Sequence, residues 1–218
     1  MLDTLRDRTR PFFEDAAPAH DWHHVERVDR LAGRLADEYE ESDERSASDG
    51  SADRGTTVDR EILHASVYLH DIGREREAHG EVEDHAVWAA GQVPALLGDL
   101  TDGETVDRVR HCVRAHRYSG SVEPETVEAE LLCDADNLDA MGAVGVGRTF
   151  AHGGTLGEPM HGDGDDPRSG GQLAHLRGKI SSLRDRMYTD PGRELAAGRH
   201  AVVERFVEEF EAELAGER

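Results

Sequence analysis

Apolar residues recur along this chain at intervals of three and four, the spacing that lays a stripe down one face of an α-helix. The pattern predicts helices nearly throughout. Leu2, Leu5, Phe12 and Phe13 suggest a short first helix that Pro11 kinks or ends. From about 22 to 39, Val25, Val28, Leu31 and Leu35 share one face behind Asp21, a natural N-cap. Ile62, Leu63, Val67, Tyr68 and Leu69 keep the spacing and run into His70-Asp71-Ile72-Gly73, where the glycine is a natural stop. Further helices are expected at about 84–97, interrupted at Pro94, and at about 104–116, 125–133, 137–150, 172–187 and 194–214. Glycines 142, 145 and 147 weaken the helix they fall in, so close packing against a neighbour is the expected compensation. No alternating strand pattern survives comparison with the helical one. The expected fold class is all-α.

Two stretches break the pattern. Residues 41–57 contain no large apolar side chain and read as a flexible surface insertion. Residues 151–171 form a long Gly, Asp and Pro segment, read as a functional or mobile loop. A length of 218 residues fits one domain spanning the whole chain.

Composition narrows the function classes. The formal net charge of -22 causes strong self-repulsion in dilute buffer and suits a salt-rich cytoplasm, a halophilic setting in which screening is short-ranged. Lys179 is the only lysine, and the arginines form no basic stripe, which disfavours duplex DNA or RNA as a partner. A small anionic substrate is still compatible with this surface if arginines converge locally. No apolar run of about 18 residues and no secretion signal is present, so a cytoplasmic protein with no membrane partner is expected; a homo-oligomer is left open. Cys112 and Cys133 lack CxxC spacing and read as core thiols.

Candidate chemistry lies in three segments, HDWHHVERV, LHDIGR and LLCDADNLDA. In the first, His20, His23 and His24 compete, and His24 shares the buried face with Val28 and Leu31. In the second, His70 shares the face of Leu63 and Val67, and Asp71 follows where Gly73 lets the backbone leave regular helix. In the third, Asp136 is set among Leu132, Cys133, Leu138 and Met141, where a carboxylate must be paired or bind a metal. Asp134 and Asp139 are alternatives that orient a histidine or cap a helix. Two imidazoles and two carboxylates, His24, His70, Asp71 and Asp136, make a site for a divalent ion: Mn, Co, Ni, Fe or Mg.

The ordered set His24, His70-Asp71, Asp136 resembles the H…HD…D signature of the HD-domain metal-dependent phosphohydrolase superfamily. HDWHHVERV, LHDIGR, VRAHRYSG and CDADNLDAMGAVGVGRTFAHGG resemble a branch of small single-domain bacterial and archaeal members. The resemblance implies a helical bundle with a central metal and hydrolysis of a phosphate ester or anhydride by a metal-activated water. A small phosphorylated substrate is implied, a nucleoside triphosphate cleaved to monophosphate and pyrophosphate. On this reading Arg74 contacts phosphate, with Arg27, His85, His116, Arg117 and Lys179 as weaker candidates. Asp71 orients the water, or Glu75 acts as general base. A second ion would draw on His85 and His116. The competing readings are a cyclic (di)nucleotide phosphodiesterase and a nucleotide or metal sensor without turnover.

Overall fold

The computed structural model describes residues 1–48, 57–117, 120, 122–164 and 167–218, with backbone alone for 43–48, 167 and 168. Every described element is helical. In chain order these are α1 (Leu2–Thr9), a 3-10 turn (Arg10–Phe13), α2 (Trp22–Ser48), α3 (Arg60–Leu69), α4 (Arg74–Ala78), α5 (His85–Leu97), α6 (Gly103–Ala115) and α7 (Val127–Asp139). There follow α8 (Gly142–Leu156), α9 (Pro167–His175), a π turn (Leu176–Ile180), a 3-10 turn (Leu183–Arg186) and α10 (Asp190–Leu214). They fall into two compact units, Met1–Ala16 with His20–Asp136, and Ala17–Ala19 with Asn137–Arg218.

In the first unit α3 packs on α2 and α6, and α6 packs on α5. The stripe predicted for α2 is the buried one: Val25, Val28, Ala32, Leu35 and Ala36 are fully covered, as are Leu63, Ala65, Val67 and Leu69 of α3. Side-chain caps set where helices begin, because the first backbone N–H groups have no partner inside a helix. Asp59 accepts from the Ile62 N–H at the start of α3, Asp84 from Val87 at α5, and Asp102 from Thr105 at α6.

Several boundaries differ from those expected. α2 continues to Ser48, nine residues past its expected end, because an already nucleated helix extends at little cost without needing a buried face. Glu40 is held there by Arg60 at 2.5 Å and by the Val58 N–H at 3.1 Å. Of the expected flexible insertion at 41–57, residues 41–48 are therefore helical, and 49–56 lie outside the described residues. Pro94 sits inside α5 without interrupting it.

The expected break between 133 and 137 is absent: α7 runs through Asp134 and Asp136, and the chain turns at Gly142, whose φ is +70°. A β-carbon there would also lie 3.2 Å from Cγ of Arg199, so glycine is favoured by the backbone conformation and relieves a tight contact as well. At Gly145 a β-carbon would meet the Ala140 carbonyl oxygen, whereas Gly147 faces open space. Packing against a neighbouring helix thus accounts for Gly142 alone, while Gly145 makes room for the turn that precedes its own helix. The expected loop at 151–171 is also corrected: α8 reaches Leu156 and α9 starts at Pro167, with residues 165 and 166 outside the described set.

In the second unit α8 packs on α10, and Asp139 is buried and paired with Arg148 at 2.7 Å. Removing one partner of a buried pair leaves a charge without its counterion. Arg148→Met is expected to lower unfolding free energy by about 3–5 kcal/mol in urea titration. Arg34→Ala, which breaks an exposed pair with Glu38, is expected to change it by less than about 1 kcal/mol.

Candidate metal centre

α3 ends at Leu69, and the chain turns through His70, Asp71, Ile72 and Gly73 before α4 starts. The turn closes with the Arg74 N–H donating to the Asp71 carbonyl at 2.9 Å. This departure from helix lets neighbouring side chains aim at one point, as the doublet required. Gly73 serves it differently from the expectation. Its φ is -98° and its ψ -1°, which any residue adopts, but a β-carbon would lie 2.8 Å from the His85 carbonyl oxygen and 2.9 Å from the Trp88 ring. The glycine is needed for the approach of α5, and that approach delivers His85.

Four buried histidines converge on Asp71. His24 Nε2 lies 3.3 Å from His70 Nε2, 3.6 Å from Asp71 Oδ2 and 3.5 Å from Asp136 Oδ1. His70 Nε2 lies 3.9 Å from Asp71 Oδ2 and 4.0 Å from Asp136 Oδ1. On the other side of the carboxylate, His85 Nε2 is 3.2 Å and His116 Nε2 3.7 Å from Asp71 Oδ1, and the two nitrogens are 3.3 Å apart. Among the described residues, His24, His70 and Asp71 form one group that can hold a metal ion, and Asp71, His85 and His116 form a second.

The ring nitrogens are prepared for that role. His70 Nδ1–H donates to the Val67 carbonyl and His116 Nδ1–H to the Val113 carbonyl, both at 2.7 Å. In the neutral ring each Nε2 then carries only a lone pair, the form a metal requires. Burial pushes the His70 imidazolium down to about 4, which keeps that ring neutral at ordinary pH. Burial alone would raise Asp71, but the imidazoles packed against it, His70 foremost, outweigh it and hold the carboxyl well below its usual range. Facing nitrogen lone pairs and carboxylate oxygens with no proton to share repel one another, and a cation among them removes the conflict. Ligand atoms around an ion with bonds near 2.1 Å lie roughly 3.0–3.5 Å apart, close to the spacings here. The residues fit a divalent ion.

His24, His70, Asp71 and Asp136 are brought together as their sequence segments suggested, with Asp136 half-buried at the open side. His23 is exposed, and Asp139 is engaged by Arg148. Asp134 is fully buried and belongs to neither group of ligand atoms. His85 and His116, expected at the phosphate or at a second ion, both lie against Asp71 Oδ1. Arg74 and Arg117 are half-buried and both reach Glu77. Arg27 is half-buried on α2, Glu75 is half-buried on α4 outside both groups, and Lys179 is exposed in the second unit.

The sequence reading missed Glu77. Its Oε2 accepts from His85 Nδ1–H at 2.8 Å and from Arg74 at 3.2 Å, and its Oε1 accepts from Arg117 at 2.6 Å. The available signal was its spacing, three residues after Arg74 on the same helical face.

Residues 21–141 match the HD domain family. The chain belongs to that family. YpgQ of Bacillus subtilis is 29% identical over 226 residues, covering 99% of this chain and 95% of that protein. The crystal structure of YpgQ in complex with ADP aligns with a TM-score of 0.67 at 25% identity over 99% of each chain. An HD-superfamily hydrolase from Bacillus thuringiensis aligns at 0.66 with 28% identity, over 98% of this chain and 96% of that one. The 3'-5' exoribonuclease YhaM of Bacillus subtilis is similar over a shorter stretch, 33% identical over 104 residues, or 41% of this chain and 33% of that protein. The chain is an HD-type metal-dependent phosphohydrolase. No helix among its described residues is long and apolar enough to cross a membrane.

Because the HD turn depends on the gap at Gly73, Gly73→Ala is expected to cost about 1–3 kcal/mol in urea titration and to shift the His85 ring resonances. Gly91→Ala, where a β-carbon meets nothing, is expected instead to stabilise α5 by up to about 1 kcal/mol.

Proposed function

We propose that this HD-domain hydrolase cleaves nucleoside triphosphates to the monophosphate and pyrophosphate, with its divalent ion held by His24, His70, Asp71 and Asp136. The observation that carries the metal assignment is the convergence of two Nε2 atoms and two carboxylate oxygens at 3.3–4.0 Å on the buried side of the HD turn. The nucleotide assignment is supported by the ADP complex of YpgQ, a relative that matches nearly the whole chain.

When bound, the ion lowers the pKa of a coordinated water and polarises the phosphoryl group. The chain's own residues do the rest. Asp71 stands between the two histidine pairs and orients what enters there. Arg74 and Arg117, both half-buried and tied to Glu77, supply fixed positive charge where negative charge grows on the transferring phosphate. Burial of His24, His70 and Asp71 keeps bulk water out, so each charge acts in a low dielectric.

A second reading is favoured by the second group. His116 spends its Nδ1 proton on Val113, so its neutral ring offers phosphate no donor at Nε2, whereas a second ion would accept that lone pair. Two ions sharing Asp71 would suit a phosphodiesterase acting on cyclic nucleotides or dinucleotides. A sensor without turnover is the weaker reading, because the full ligand set is retained.

Product analysis separates these readings. Purified protein in high KCl with Mn is incubated with nucleoside triphosphates and, separately, with cyclic dinucleotides. Pyrophosphate and monophosphate are expected, with the rate falling at least about a thousandfold in Asp71→Ala. Linear products from cyclic dinucleotides without pyrophosphate would transfer the assignment to the phosphodiesterase, and no turnover of either class sinks both.

Metal removal gives an independent check. An ion present at a hundred times its dissociation constant stabilises the folded state by about 2.7 kcal/mol. Chelator dialysis is therefore expected to lower Tm by roughly 5–10 °C in a chain of this size, with recovery on adding Mn. An unchanged Tm would count against the bound ion.

A further inference from the structure

Each of three histidines around Asp71 hands its Nδ1 proton to a fixed acceptor. For His70 and His116 that acceptor is a carbonyl one helical turn back, Val67 and Val113, so the helix itself sets the tautomer. His85 has no such carbonyl, because it is the first residue of α5 and the chain before it is not helical. Its acceptor is Glu77, which reaches across from α4 at 2.8 Å, and Arg74 Nη1 lies farther off, 3.3 Å from the same nitrogen.

Without Glu77 the His85 ring would face a different choice. Asp71 Oδ1 lies 3.2 Å from its Nε2 and the donor Arg74 Nη1 3.3 Å from its Nδ1, so the proton would move to Nε2 and donate to Asp71, which blocks the nitrogen that faces the ion site. The same carboxylate binds Arg74 through Oε2 at 3.2 Å and Arg117 through Oε1 at 2.6 Å, and Arg117 also reaches Asp84, the cap of α5, at 3.3 Å. Glu77 is only partly covered, at 20% side-chain exposure, while His85 is at 3%. It therefore stands at the boundary between the buried imidazoles and the half-buried arginines.

We infer that Glu77 is a positioning residue that serves both halves of the site, fixing the Nδ1–H tautomer of His85 and holding Arg74 and Arg117 in place for phosphate. It touches neither the reacting atoms nor the group of His24, His70 and Asp71. The arginine half rests on the proposed nucleotide hydrolysis, and the tautomer half does not.

The two halves are read separately. Long-range 1H–15N spectra of the His85 ring, recorded at pH 8.5 in the presence of Mg2+, are expected to show the proton on Nδ1 in the wild type and in Glu77→Gln, whose amide oxygen still accepts it. In Glu77→Ala the proton is expected on Nε2. A His85 ring that keeps Nδ1–H in Glu77→Ala overturns the tautomer assignment whatever the substrate is. In turnover assays both variants lose the negative charge that holds the arginines, so KM for nucleoside triphosphate is expected to rise tenfold to a hundredfold in both. Glu77→Gln should retain kcat better than Glu77→Ala. A KM within twofold of wild type in Glu77→Gln overturns the arginine half. Absence of wild-type turnover would be a failure of the hydrolysis reading alone, since the tautomer measurement needs no substrate.

Discussion

A carboxylate sealed away from water costs several kcal/mol unless its charge is met, and the first unit is organised around meeting the charge of Asp71. α2 contributes His24, the end of α3 His70, the start of α5 His85, and the end of α6 His116. Each oxygen of Asp71 faces two imidazoles. The packing of α3 on α2 and α6, and of α6 on α5, brings those four ring systems to one carboxylate. Geometry, burial and protonation are thus one constraint seen from three sides: the helices must meet closely enough to converge, and convergence excludes the water that would otherwise solvate the charge.

The polar network outward of this centre follows the same logic with longer side chains. Imidazoles lie innermost, Glu77 sits behind His85, and guanidinium groups lie behind Glu77. Hydrogen bonds run outward from the imidazoles through Glu77 to the half-buried arginines, whose positive charge offsets that of Glu77. Arg117 ties that sequence to Asp84, which caps the helix that His85 begins. Local helix initiation and the orientation of a site residue therefore share one partner.

Much of this was legible in the apolar spacing. The stripe of α2 identified His24 over His23, and Leu63 and Val67 placed His70 on a buried face, because period and burial are coupled on any amphipathic helix. Asp136 was legible as a carboxylate among apolar neighbours. What escaped were features without an apolar signature. The last turns of α2 carry no large apolar side chain, and Glu40 at their start is held by Arg60, a contact between residues 20 apart. The continuation of α7 through Asp134 and Asp136 also escaped, since neither aspartate marks a helix interior by propensity. Glu77 looked like any solvent-facing acid in REREA. Gly73 was recognised for the wrong reason, since sequence suggests backbone freedom while only three-dimensional proximity to His85 and Trp88 reveals the need for an absent side chain.

The two cysteines bring a practical consequence. Both are buried; burial pushes the Cys112 thiol up to about 11 and the Cys133 thiol well above its ordinary value. Since the thiolate is the reactive form, neither native sulfur competes for maleimides or mild oxidants while the protein is folded. A cysteine introduced on the exposed side of α10 would be the sole attachment point for a fluorophore or spin label on an otherwise wild-type chain. The same silence makes thiol reactivity a clean alarm for unfolding: native sulfur becomes modifiable only when the helices that carry the metal centre have come apart.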